Sequence, residues 1–106
     1  MDTQIFVRGA ADPVALREFS QEKLDNTLNR FQDRILSAKM WIEDETGPEK
    51  SGVDKNCNIE VHLRTGAVRI KERGEEFHAT IDKAIDRLKA ALSREAGRAK
   101  RGIGEG

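Results

Sequence analysis

The chain has no long apolar run, only one cysteine and no net charge, and each of these absences argues against a class of protein. No apolar run exceeds four residues, which excludes a membrane-spanning helix. The single cysteine, Cys57, cannot form an internal disulfide, so we expect a reducing, cytoplasmic location. The 19 basic and 19 acidic residues cancel, which argues against a general-purpose nucleic-acid binder.

The size and composition allow one domain with a modest core. The chain has 106 residues, of which 37% are hydrophobic and 36% are charged. We expect a single domain at residues 1–101 and a disordered, glycine-rich tail at 102–106. The core must therefore be built from a few well-placed apolar stripes.

The neutral total conceals an uneven distribution of charge. Residues 1–53 carry a net charge of −3, and residues 54–106 carry +3. Residues 83–101 alone hold seven basic side chains against two acidic ones. Because salt screens charges beyond about 8–10 Å, this local excess matters more than the sum over the chain. The C-terminal segment is therefore predicted to present a basic surface on a neutral protein.

Two segments have the apolar spacing of amphipathic helices. Asp12-Pro13 is typical of a helix start, because Asp accepts hydrogen bonds from free N–H groups and Pro fits the first helical position. This helix is predicted to run to about Arg34; the second is predicted to begin near Glu75 and to fray around Gly97. The predicted buried positions are Leu16, Leu24, Leu28 and Phe31 in the first helix and Ile81, Ile85, Leu88 and Leu92 in the second.

Alternation of apolar and polar residues predicts four strands, at about 4–8, 36–43, 57–64 and 68–71. Residues 44–56 contain Gly and Pro and hardly any apolar side chain, which predicts a long, mobile hairpin loop. The inward-facing strand residues are predicted to be Leu36, Ala38, Met40, Ile42, Cys57, Ile59, Val61, Leu63, Val68 and Ile70.

The order of these elements, β-α-β-β-β-α, predicts an α+β two-layer sandwich. Two helices would cover one face of a four-stranded, mainly antiparallel sheet and leave the other face polar and open.

The second helix carries a basic stripe on its predicted solvent side. On a helical wheel the cations lie roughly 100–160° from Ile81, so they share one face away from the core. Like charges four residues apart, as at Lys83–Arg87 and Arg94–Arg98, cost a few tenths of a kcal/mol per pair. An anionic partner explains this arrangement better than a solvated face does. The predicted phosphate contacts are Lys83, Arg87, Arg94, Arg98 and Arg101.

Two weaker basic surfaces accompany this stripe. Lys23, Arg30 and Arg34 lie on one flank of the first helix, where they could join the stripe in a single groove for a phosphate backbone. The open sheet face offers a second candidate surface, and Trp41 on that face could stack on a base or be a partly covered edge aromatic. The candidate contacts on the sheet face are Lys39, Trp41, His62, Arg64, Arg69 and Lys71.

Catalytic and metal sites are not predicted. The two histidines have no metal-ligand spacing with Cys57, which is interpreted as a small core residue. Asp82 and Asp86 are one helical turn apart, but they are better explained as offsetting the repulsion between Lys83 and Arg87. No nucleophile elbow or glycine-rich phosphate loop is present in the sequence. We expect no enzymatic activity, cofactor, metal or small-molecule substrate.

The sequence resembles the ribosome hibernation-promoting factor and protein Y family. The segment Glu76-Phe77-His78-Ala79-Thr80-Ile81-Asp82, followed by Asp86-Arg87-Leu88, is similar to the start of the family's second helix. Leu16-Arg17-Glu18-Phe19, Lys23-Leu24 and Phe31 to Ile35 are similar to its first helix. The resemblance covers about residues 5–95. His78 stands where the family usually has Tyr, and Ala90 where a basic residue is common, as in a divergent short branch.

The resemblance implies a double-stranded-RNA-binding-like fold and a ribosomal partner. It implies binding to the small ribosomal subunit and its rRNA, in the channel for messenger and transfer RNA, with translation silenced by occlusion during stress. It makes Lys23, Arg34, Arg87 and Arg94 the best candidate contacts. No membrane partner is implied, and we expect a monomer in the free state.

Two other functions remain open. A regulatory protein-interaction module could use the sheet face and the 44–56 loop, and a general RNA-binding domain could recognise duplex shape without a ribosomal site. Steep salt dependence would separate the two RNA-binding hypotheses from the protein-interaction hypothesis.

Overall fold

The structure is a computed structural model that describes residues 2–45 and 54–105, the last eight of these by their backbone alone. Its elements follow the predicted order, with one short 3-10 helix at Gln32–Arg34. The strands and helices are β1 (Asp2–Arg8), α1 (Pro13–Asn29), β2 (Ile35–Asp44), β3 (Lys55–Leu63), β4 (Gly66–Gly74) and α2 (Phe77–Glu105).

The four strands form one sheet in the order β1-β2-β3-β4. β1 and β2 run parallel, because α1 provides the crossover between them, and the other two pairings are antiparallel hairpins. Both helices pack on the same face, α1 against β1 and α2 mainly against β3 and β4. The predicted α+β architecture, with two helices on one face of a four-stranded sheet, is confirmed.

The core lies between this helix layer and the sheet. Eleven of the twelve residues that the helical spacing and the third strand place there are buried: Leu16, Leu24, Leu28, Cys57, Ile59, Val61, Leu63, Ile81, Ile85, Leu88 and Leu92. Phe31, the twelfth, is only partly buried against the core. It lines a cavity of about 200 Å³ at the end of the helix layer, together with Leu63 and Leu92.

The first helix starts as predicted but ends earlier. The Asp12 side chain accepts a hydrogen bond from Ala15 N at 3.1 Å, and Pro13 occupies the first turn. The prediction that this helix reaches Arg34 is wrong. α1 ends at Asn29, and the chain tightens into the 3-10 turn because Ile35 must already enter β2.

The start of β2 also differs from the predicted alternation. The pairing register with β3 shifts between Ile35 and Ser37, so one extra residue is accommodated there. Ile35 is therefore buried and Leu36 is exposed, whereas the sequence predicts Leu36 in the core. Alternation then resumes, and Ala38, Met40 and Ile42 face inward as predicted.

The second helix begins at Phe77, two residues after the predicted start, and continues to Glu105. The fraying predicted around Gly97 and the tail predicted at 102–106 are therefore not seen over the residues described, which end at Glu105. A run of good helix formers, including alanines at 90, 91, 96 and 99, offsets the cost of Gly97. No helix in the described part of the chain is long and apolar enough to cross a membrane.

The predicted 44–56 loop is shorter than expected. Asp44 ends β2, and Lys55 and Asn56 begin β3. The segment predicted to be mobile is 44–56, and most of it, residues 46–53, lies outside the described residues. Where it leaves the sheet, the loop is held by Lys55, whose Nζ lies 3.1 Å from both Asp44 and Asp54.

Candidate nucleic-acid interface

Within the basic stripe of α2, Arg87 contacts the neighbouring strand β4. Arg87 Nη1 donates a hydrogen bond to the Lys71 carbonyl oxygen at 2.7 Å and contacts Glu72 Oε2 at 2.8 Å. These contacts hold Arg87 against the outer edge of β4. Lys83 and Arg94 are exposed, and no ion pair joins either of them to another side chain that the structure describes.

Arg98 and Arg101, the other two predicted contacts of the stripe, lie on the same helix. Their side chains are outside the described part of the structure, so their role stays a prediction.

The cations of α1 do not join this stripe. Lys23 Nζ lies 3.3 Å from Asp82 and 5.4 Å from the centre of the Phe19 ring. Asp82 is on the flank of α2 that faces α1, whereas Arg87 is on the flank that faces β4. The predicted single groove between the two helices is therefore not formed, because a helical wheel does not show which flank meets the neighbouring helix. Arg30, a second basic residue of the predicted flank, is exposed just after the end of α1.

Arg34 and Arg64 meet at another corner of the molecule. Arg64 donates its backbone N–H to the Arg34 carbonyl oxygen at 3.2 Å and its Nε to the Asp33 carbonyl oxygen at 3.3 Å. Arg64 thus lies in the turn between β3 and β4 rather than on the sheet face. Both arginines line the mouth of the cavity beside Phe31.

The open face of the sheet carries the other predicted residues. Lys39, Trp41, Arg69 and Lys71 are all exposed there, and His62 is half-buried. The cross-strand pairings put Lys39, Glu60 and Arg69 in one row and Trp41, Asn58 and Lys71 in the next. The alternation of β2 and β4 thus brings these side chains to one surface, as the sequence predicts.

Two basic residues on this face were not among the predicted contacts: Arg8 on β1, which lies 3.8 Å from Glu43, and Arg73. Arg73 lies on β4, and its guanidinium is 3.1 Å from Glu45. The signal is present in the sequence, since Arg69, Lys71 and Arg73 occupy alternate positions of one strand. It was missed because the fourth strand was predicted to end at Lys71.

Glu60 balances part of the positive charge on the open face. Its carboxylate lies 2.7 Å from His62 Nε2 and 2.9 Å from Arg69 Nε. The hydrogen bonds from His62 and then Arg69 hold the pKa of Glu60 below its usual value, so it stays ionised at neutral pH.

The cations of α2 and β4 together form a surface that we call the basic edge. It consists of Lys83, Arg87, Arg94, Arg69, Lys71 and Arg73. The α2 residues lie in the helix layer and the β4 residues on the open face, so positive charge surrounds the outer edge of β4. Three carboxylates, Glu45, Glu60 and Glu72, pair with three of the six cations. The remaining positive charge suits an anionic polymer such as a phosphate backbone.

The residues that could be mistaken for catalytic groups have structural contacts instead. Cys57 is buried, and this burial raises the pKa of its thiol to about 12, so the thiolate needed for nucleophilic attack does not form. His78 packs edge-on against Phe19 with ring centroids 4.5 Å apart. Asp82 pairs with Lys23 rather than with a second acid. Within the described residues, no three His, Cys, Asp or Glu side chains form a metal-binding group.

Fold and basic edge together define a class of protein: a small two-layer α+β domain with a cationic surface at one sheet edge. The chain matches the family model described as sigma 54 modulation protein / S30EA ribosomal protein over residues 5–100, and it belongs to this family. The predicted resemblance to the ribosome hibernation and protein Y family is thereby confirmed.

Solved structures agree with this assignment. The N-terminal domain of protein Y from Thermus thermophilus is 28% identical, with a TM-score of 0.70, and the match covers 89% of this chain and 98% of that domain. A ribosomal subunit interface protein from Coxiella burnetii shares the fold at 20% identity, with a TM-score of 0.72 and coverage of 92% and 99%. A comparison with curated protein sequences gives no match. The family is ribosome-associated and is not a known enzyme family, in agreement with the predicted absence of catalysis.

Proposed function

We propose that this protein binds the small ribosomal subunit in the channel for messenger and transfer RNA and silences translation by occlusion. The observation that carries the proposal is the basic edge on a chain of a ribosome-associated family. Cations on two elements meet at the outer edge of β4, where they can neutralise successive rRNA phosphates. The folded body then fills space that the RNA ligands of the ribosome need. Such a role places the protein in the cytoplasm, as a factor of the stress response.

The contacts of the individual cations rank them as rRNA ligands. Lys83 and Arg94 have exposed side chains without an ion pair to any described side chain, so they reach a phosphate without losing an internal partner. Arg87 is tied to Glu72, and Lys23 to Asp82. Substitution of Arg87 or Lys23 would therefore also remove an internal ion pair, so a binding test should not depend on these two residues.

Charge reversal at the free positions of the edge tests the proposal. The double variant Lys83→Glu/Arg94→Glu should lose cosedimentation with small subunits in a sucrose gradient, because two phosphate contacts become repulsive. The matched control is Arg17→Glu/Lys89→Glu, which changes the net charge equally at exposed helical positions outside the basic edge. The control should still cosediment.

Two outcomes count against the proposal. Equal loss in both variants would show that net charge, rather than the basic edge, governs binding. Undiminished binding by the Lys83→Glu/Arg94→Glu variant would remove the α2 part of the basic edge from the mechanism. Occlusion itself is tested by adding messenger and transfer RNA to the complex, which should release the wild-type protein from the subunit.

A further inference from the structure

The open sheet face carries an aromatic pair that neither the core nor the basic edge uses. Phe6 on β1 and Trp41 on β2 are direct register partners, with ring centroids 5.9 Å apart and ring planes within 20° of parallel. They remain 46% and 37% exposed. The core lies on the opposite side of the sheet, so packing does not explain why two large rings are held together in solvent.

The polar surroundings of this pair have an excess of positive charge. The open face holds five basic side chains, on β1, β2 and β4, and four acidic ones, of which Glu43, Glu45 and Glu60 are paired with arginines. Glu43 lies 3.8 Å from Arg8, and Glu60 lies 2.9 Å from Arg69, so the acids next to the rings are already paired. The charges that remain closest to Trp41 are ammonium groups.

Lys39 and Lys71 supply these ammonium groups. Lys39 is two residues from Trp41 on the same strand, about 7 Å away along the backbone. Lys71 is in the same cross-strand row as Trp41, two strands and about 10 Å away, with Asn58 between them. Among the described residues neither lysine has an ion-pair partner. The surface thus combines two flat apolar rings, an amide that can bond base edges, and two unpaired cations.

We propose that Phe6 and Trp41, flanked by Lys39 and Lys71, form a platform that binds free single-stranded RNA by stacking unpaired bases. The ring faces accept the bases, Asn58 bonds a base edge, and the lysines contact the flanking phosphates. Duplex RNA does not fit this chemistry, because its base faces are already stacked. A protein partner fits poorly, since two rings are far smaller than the roughly 800 Å² per partner of a standard protein interface.

The platform shares Lys71 with the basic edge, but its two rings and Lys39 lie outside the proposed contact with the ribosome. It occupies the side of the sheet opposite to the helix layer, where Lys83 and Arg94 lie. A strand of RNA on the platform would therefore leave these α2 cations accessible.

Trp41 reports on the platform directly, since it is the only tryptophan and the chain has no tyrosine. Titration of the full chain with a single-stranded uridine octamer at low salt should quench its emission. The variant Phe6→Ala should bind a labelled octamer at least about fivefold more weakly in fluorescence anisotropy, since stacking on one aromatic ring stabilises a bound base by at least ~1 kcal/mol. The matched control is Val14→Ala, an apolar truncation on α1 at a position that is more exposed than Phe6. It should leave octamer binding unchanged.

A second variant and a second measurement keep the test decisive. Lys39→Gln/Lys71→Gln retains both rings and should also weaken octamer binding, with a shallower dependence on salt. Phe6→Ala should cosediment normally with small subunits, which separates this proposal from the ribosome proposal. Absent quenching, or wild-type octamer affinity in Phe6→Ala, would overturn the platform. So would a change in oligomeric state in Phe6→Ala, which would make the face an interface between two copies of the chain, or competition by duplex RNA.

Discussion

At the scale of single residues, the fold makes the single thiol of the chain unreactive. Cys57 faces the core from β3 with 1% of its surface exposed. Burial, and to a smaller degree the charge of Glu72, raises the pKa of its thiol to about 12. The alternation of apolar residues along the third strand was sufficient to predict this core position, because side chains of a strand point alternately to its two faces.

Cys57 should therefore react with a thiol reagent only after unfolding. At pH 8 we expect slow modification of the native protein and fast modification in denaturant, measured by absorbance of the released chromophore. The same pKa shift has a consequence for stability. Above about pH 9, the ordinary pKa of the thiol, the unfolded chain loses its proton while the native chain keeps it until about pH 12. Stability should thus fall as the pH rises through this window.

The variant Cys57→Ala isolates this effect. It lacks the thiol, so its free energy of unfolding should depend less steeply on pH between 9 and 12 than that of the wild type. Other groups titrate there in both proteins and cancel in the difference. Identical pH dependence in the two proteins, or fast modification of the native thiol, would contradict the assigned burial.

At the scale of elements, the sequence predicts which residues are buried, because burial follows the periodicity of each element. It does not predict features that depend on neighbouring elements, such as where a helix ends or a strand bulges. Strand alternation and helical spacing identify the buried residues because one face of each element must leave water. The bulge at Leu36 and the end of α1 at Asn29 depend on where the chain must turn to enter β2, which no local pattern specifies. The predicted groove between the basic flanks of the two helices was wrong. α1 packs against the Asp82 side of α2, whereas Arg87 lies on the side next to β4, and the sequence of α2 alone does not specify this arrangement.

The base of the β2–β3 hairpin contains an ion-pair cluster that the composition of the segment does not predict. The sequence predicts a polar loop over 44–56, yet Asp44 and Asp54 are buried on either side of the Lys55 ammonium group. The hydrogen bonds from Lys55 to Asp54 and to Asp44 raise the pKa of the lysine, so it stays charged. Its Nζ also lies 5.8 Å from the centre of the Phe77 ring, which connects the hairpin to the start of α2.

Replacing this lysine should destabilise the protein more than replacing an exposed one. Lys55→Met keeps an apolar stem beside Phe77 but removes the cation between two buried carboxylates, whose desolvation is then less compensated. We expect its melting temperature, followed by circular dichroism, to fall clearly. The control Lys39→Met removes an exposed charge and should shift the melting temperature by no more than about 4 °C. Equal shifts would mean that the Lys55 contacts do not stabilise the hairpin.

At the scale of the whole molecule, charge distribution matters more than net charge. The formal total is zero, but carboxylates dominate the exposed side of α1 while cations surround the outer edge of β4. Phosphate binding at such an edge releases counterions, so its affinity falls with salt in proportion to the number of phosphates neutralised. A protein of zero net charge with a strongly salt-dependent affinity would demonstrate that the local surface governs binding.

The slope of affinity against salt concentration also measures how many phosphates the basic edge contacts. The logarithm of the affinity for small subunits should fall linearly with the logarithm of salt concentration, measured by cosedimentation between 50 and 200 mM salt. If Lys83 and Arg94 each neutralise one phosphate, Gln at both positions should make this slope shallower by about 1.4 to 1.8, since each contact contributes about 0.7 to 0.9. Arg17→Gln/Lys89→Gln should retain the wild-type slope. An unchanged slope in the Lys83→Gln/Arg94→Gln variant would show that these two side chains do not touch phosphates, even if affinity falls, and would shift the assignment of the contacts to Arg69, Lys71 and Arg73 on β4.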